Sequence, residues 1–130
     1  MSTPIANSRT AILADRHVST WQTIGDVLGP VIGRAGVAAL YERARHLNRV
    51  AHPWLARRDG DRATWSMDLV AFKAALGRQD PVEAAAGAEA LLHSFREVLA
   101  GLIGTALSDL LLRSVWDVHL GRISSEEMPP

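Results

Sequence analysis

The stretch that most restricts what this chain can fold into runs from Leu91 to Val115, LLHSFREVLAGLIGTALSDLLLRSV. Leu91, Leu92, Phe95, Val98, Leu99, Leu102, Ile103, Ala106, Leu107, Leu110, Leu111 and Val115 recur at spacings of three and four, the period of one broad helix face. Arg96, Glu97, Ser108, Asp109 and Arg113 fall in the gaps and are expected to carry the solvated face. No alternation of two persists for more than a few residues, which excludes a strand. The stretch therefore requires partner helices to cover it.

At 130 residues the chain is long enough for one packed core without disulfides or a structural metal, and a single helical domain over 1–130 is expected. The absence of cysteine excludes a disulfide framework, thiolate chemistry and Cys-ligated zinc, and suits a reducing cytoplasm. Formal charge is zero, so no global field recruits nucleic acid or anionic lipid. Locally, Arg34 to Arg62 holds seven arginines against Glu42, Asp59 and Asp61, whereas Asp80 to Glu127 holds eight acids against Arg96, Arg113 and Arg122. That asymmetry reads either as two balancing solvated faces or as a steered partner or self-contact surface. Thirteen arginines against one lysine are a codon-usage signature of a GC-rich bacterial genome. Met1 to Thr10 lacks the apolar run of a signal peptide, and the best membrane candidate, Val98 to Leu112, is short and carries Asp109. A cytoplasmic location and no membrane span are expected.

Along the chain, 1–7 and 123–130 are expected to be disordered tails, and a first helical segment covers 8–17. Ser19 and Gln22 have the spacing of a capping box opening a helix over 20–28, and Gly29 with Pro30 reads as a stop and restart before a helix over 30–50. Ala51 to Ala63 is expected to be the longest loop. Trp65, Leu69, Phe72 and Leu76 define a helix over 64–77. Asp80 as N-cap, Pro81 in the first turn and Glu83 three residues after the cap start a helix over 80–119. Unbroken, it would span roughly 57 Å, so a kink or split near Gly101 is expected, with Gly104 as a second break point. The expected core comprises Trp21, Ile24, Leu28, Ile32, Leu40, Leu47, Leu69, Phe72, Leu76, Leu91, Phe95, Leu99, Leu102, Ile103, Leu107 and Leu110.

Residues 21–40 and 92–111 align without gaps, matching Ile24 with Phe95, Leu28 with Leu99, Ile32 with Ile103, Gly33 with Gly104 and Leu40 with Leu111. Two amphipathic helices align readily; the alternative is a true repeat, in which Gly33 and Gly104 let helices cross closely.

Three groups of residues suggest function. His52-Pro53-Trp54 with Arg57 and Arg58 places an aromatic and two guanidinium groups in one loop, which suits an anion or planar ligand, or simply a loop pinned to the core. Leu112 and Trp116 extend the apolar run beyond the width of one bundle face and are expected to meet a protein partner or a second copy of the chain. Leu92-His93-Ser94-Phe95-Arg96 resembles the core of histidine phosphotransfer domains, four-helix bundles whose exposed histidine is followed by a small, an apolar and a basic residue. The resemblance implies that His93 accepts a phosphoryl group from a response-regulator aspartate while Arg96 offsets its charge. It covers about fifteen residues, and Glu97 and Val98 stand where that family keeps small residues. No two of His17, His46, His52, His93 and His119 lie three or four apart, so no helix offers a histidine pair to a metal, and no catalytic constellation, cofactor motif or phosphate loop is visible.

The expected architecture is all-α, a compact antiparallel bundle of four to five helices. The expected function is a non-catalytic protein-interaction or adaptor module of a bacterial cytoplasm, in signalling, with a homodimer as an expected form and Leu112 and Trp116 as its expected partner contacts. The alternatives are a phosphotransfer intermediate using His93 and Arg96, and a small-molecule sensor at His52, Trp54 and Arg58.

Overall fold

Five helices make up the described part of the chain: α1 Pro4–Leu47, α2 Pro53–Ala56, α3 Leu69–Gly77, α4 Pro81–Ile103 and α5 Thr105–Glu127. The computed structural model describes the backbone of residues 4–56 and 67–127, and the side chains of 9–56 and 67–117. Among the described residues there is no strand, and the helices pack on one another as an all-α bundle.

Two glycines shape the fold. Gly33 interrupts α1 at φ 82° and ψ 156°, and Gly104 separates α4 from α5 at φ 89° and ψ 151°. This backbone region is essentially closed to residues with a Cβ. Each glycine turns the chain back on itself: Tyr41 meets Trp21 across the first elbow, and Asp109 meets Arg96 across the second. The result is two helix–glycine–helix units, 4–47 and 81–127, joined through α2 and α3. Contacts between the first limb of α1 and α4 advance in the same direction along both, His17 with Glu89 and then Trp21 with Phe95.

Burial follows the repeat. Trp21 and Leu92, Ile24 and Phe95, Leu28 and Leu99, Val37 and Ser108, Tyr41 and Leu112, and Ala44 and Val115 are buried in both units, whereas Val31 and Leu102, Ala35 and Ala106, and Ala39 and Leu110 are exposed in both. A Cβ at Gly33 or Gly104 would meet nothing within 4 Å. These glycines are thus required for backbone conformation, and the expected close helix crossing is absent.

Several expected boundaries are corrected. Ser19 lies mid-helix and its carbonyl accepts from Thr23 Oγ1 at 3.0 Å, so no cap forms there. Pro30 lies inside α1, which continues to Gly33; proline has no N–H to give the Asp26 carbonyl, and Asp26 is an exposed residue. Gly101 stays helical, and the break falls at Gly104. Residues 4–7 and 123–127, expected to be disordered, are helical, while 1–3 and 128–130 lie outside the described residues. The third helix begins at Leu69, and Trp65 also lies outside the described residues. The predicted start of α4 is present: Asp80 Oδ1 accepts from Glu83 N at 2.9 Å, with Pro81 in the first turn.

Trp21 centres the core, edge-on to Tyr41 and to Phe95 with ring centroids 4.9 Å apart in each case. Such pairs add about 0.5–1.5 kcal/mol each beyond simple burial. Phe72 of α3 meets the far side of Tyr41, and burial pushes the Tyr41 phenol well above its ordinary range, keeping it neutral. Asn48 closes α1 by donating from Nδ2 to Ala44 O at 2.8 Å and to Ser94 Oγ of α4 at 3.0 Å. Among the described residues one helix, Arg9–Leu47, is long and apolar enough to cross a membrane by length and composition, where Val98–Leu112 was expected to come nearest. The segment contributes the buried Trp21, Ile24 and Leu28 to the core and is broken at Gly33, and 22% of its most apolar 18-residue window is buried.

Candidate functional site

The inside of each elbow forms a groove. In the first unit, a cleft of about 150 Å³ lies among Gly25, Asp26, Arg34 and Val37 and is walled by Met67, just before α3, and by Leu69, the first residue of α3. Met67 Cε would sit 3.3 Å from a Cβ at position 25. The equivalent groove of the second unit has about 330 Å³ and is lined by His93, Arg96, Glu97, Ala100, Thr105 and Asp109, with no covering segment among the described residues. Arg96 replaces Gly25 and Asp109 replaces Ala38, so the second elbow is the more polar of the two.

His93 stands on the open side of α4 with its side chain 71% exposed, and its Nε2 lies 3.1 Å from Glu97 Oε1. Its partner is thus the acid one turn later, whereas Glu89 faces the buried His17 at 3.7 Å. Arg96 reaches across the groove, Nη2 donating to Asp109 Oδ1 at 3.3 Å while the guanidinium lies 5.9 Å from the Trp116 ring centre. His93 and Arg96, singled out from sequence, therefore border one groove. Thr105 and Asp109 do not follow from the pattern, because a continuous helix would carry them about 2.5 to 4.4 turns away from His93 and Arg96; the positive φ of Gly104 brings them in.

The His52–Trp54 loop is committed to the protein itself. Glu83 Oε2 receives Trp54 Nε1–H at 3.0 Å and lies 3.0 Å from His52 Nδ1. The Trp54 and then the His52 hydrogen bonds hold the Glu83 carboxyl below its usual range. The Trp54 indole lies over Gly87, where any Cβ would overlap the ring. Arg45 braces the same loop, donating from Nε to Leu55 O at 2.6 Å and from Nη1 to both Glu42 carboxylate oxygens at 2.8 and 3.0 Å. Arg57 and Arg58 lie outside the described residues. Among the described residues no cluster of three or more His, Asp or Glu side chains is placed to hold a metal.

The apolar face expected at Leu112 and Trp116 is displaced. Leu112 is fully buried and Trp116 half-buried against the core, so Leu112 offers no surface to a partner. Leu102, Leu107 and Leu110, expected in the core, are instead 62, 44 and 61% exposed, and Leu47 is also largely exposed. Gly104 resets the helix phase, so the face that is inward in α4 does not continue inward into α5. Ser108, Leu112 and Val115 point in.

Comparison with protein-family models, with curated proteins and with solved structures finds no match, so no relative lends this chain a function.

Proposed function

We propose that this chain is a non-catalytic protein-interaction module that binds its partner through the outer face of α5 and the adjoining end of α4. The observation that carries the reading is the exposure of Leu102, Leu107 and Leu110 at one elbow. At the matching positions the first unit has Val31, Gly36 and Ala39, so the repeat folds without leucine at the last two of these. Leu107 and Leu110 are therefore surplus to the fold, and clustered exposed leucines of this kind are characteristic of contact surfaces. The test is affinity purification of a tagged chain from its native host, comparing wild type with the Leu107→Asp/Leu110→Asp double variant. The reading expects specific partners retained by wild type and lost from a folded double variant; an identical partner set in both refutes it.

A second reading, phosphotransfer at His93, is favoured by that residue's exposure and by Arg96 on the same groove. In it the imidazole Nε2 lone pair attacks the phosphorus of a regulator's aspartyl phosphate. The P–N bond forms, the P–O bond breaks to regenerate the carboxylate, and the Nδ1 proton passes to water. Glu97 must first swing away from Nε2, since its charge opposes the incoming phosphoryl group. Label transferred from an acetyl-phosphate-charged regulator to wild type and not to His93→Gln supports this reading; no transfer to wild type ends it.

A further inference from the structure

The outward faces of the two units differ in a complementary way. Residues 36, 39, 43 and 46 and residues 107, 110, 114 and 117 occupy equivalent positions, each set following the three–four–three spacing of a helix-packing seam. Gly36 is half-exposed, and Ala39, Arg43, His46, Leu107, Leu110, Ser114 and Asp117 are exposed. Level by level, the seam of 34–47 offers Gly36, Ala39, Arg43 and His46 where α5 offers Leu107, Leu110, Ser114 and Asp117. Side by side, a leucine stands opposite a glycine and then another opposite an alanine, followed by an acid beside two basic residues. In that register large side chains would meet small ones at one end, beside the Ile32 side chain that lies 3.4 Å from a Cβ position on Gly36, and opposite charge would fix register at the other.

We propose that the outer face of α5 binds a second copy of this chain, seated on the outer face of residues 34–47. The inference rests on the interaction-module reading and names its partner. Each copy presents one face of each kind, so the contact is heterologous: copies joined through both faces close on each other, and copies joined through one continue to a third. Either way self-association rises with concentration and weakens at high salt, because the Arg43–His46–Asp117 end is exposed and screened.

The chain's lack of cysteine makes the test direct. Ala39→Cys and Leu110→Cys variants, one carrying a mass tag, are oxidised separately and as a mixture, and wild type is sedimented from micromolar to millimolar concentration. The expected result is concentration-dependent self-association of wild type, with a disulfide-linked hetero-band that appears in the mixture far above the level in either variant alone. Leu110→Cys linking to itself as readily as to Ala39→Cys overturns the proposed seam. A wild type that stays monomeric throughout overturns self-association altogether. If such a monomer still captures partners through Leu107 and Leu110, the interaction reading stands and the second copy is excluded as its partner.

Discussion

Gly33 and Gly104 hold φ values of 82° and 89°, and Gly101, three residues before the second, holds an ordinary helical conformation with open space around it. Alanine at 33 or 104 is expected to lower unfolding free energy by about 1–3 kcal/mol. Alanine at 101 is expected to raise it by about 0.4–1 kcal/mol. Urea denaturation of the three variants checks this contrast; equal effects at 101 and 104 would contradict the assigned break. Glu83 supplies a second residue-scale prediction. Its carboxyl is held below the usual range by Trp54 and His52, so the charged form stabilises the fold. That contribution is present above the unfolded-state carboxylate pKa and is lost as pH falls through the lower folded value. Glu83→Gln should therefore lower stability at neutral and alkaline pH and flatten the acid limb of a stability–pH profile, the variant and wild-type curves converging at low pH.

The two elbows show how far pattern alone reaches at the level of elements. The start of α4 was legible because Asp80, Pro81 and Glu83 act within one turn of the chain. So was the pairing of Gly33 with Gly104, although two superposable amphipathic patterns do not by themselves reveal what a shared glycine does. The direction of α5 was not legible. Periodicity predicts which residues lie on a common face only while φ and ψ stay helical, and one residue at positive φ moved Leu107 and Leu110 out and Ser108 and Leu112 in. The same phase shift places the Ser108 hydroxyl in the core without a hydrogen-bond partner. A buried hydroxyl left unsatisfied costs about 1–3 kcal/mol, so Ser108→Ala is expected to raise the thermal midpoint. A lower midpoint in calorimetry would mean that the hydroxyl is satisfied. The His52–Trp54 loop was half legible. Its residues do converge, but on Glu83 and Gly87, whose involvement depends on α4 passing beneath the loop and leaves no local trace in the sequence.

The two units of the molecule share one core. Trp21 and Tyr41 of the first meet Phe95 of the second, and Asn48 ties the end of α1 to Ser94. Neither unit can lose its packing without uncovering the other's largest side chains. A single cooperative transition is therefore expected, with far-ultraviolet and near-ultraviolet circular dichroism superimposing across a denaturant series. Two separated midpoints would show that the units fold independently. The contact between Trp21 and Phe95 also imposes an order on synthesis. Emerging at about 5–20 residues per second, α1 displays Trp21 to solvent until α4 follows it out of the ribosome. α1 is thus made well before Phe95 can shelter its tryptophan, and a pause in translation between α1 and α4 would prolong that exposure.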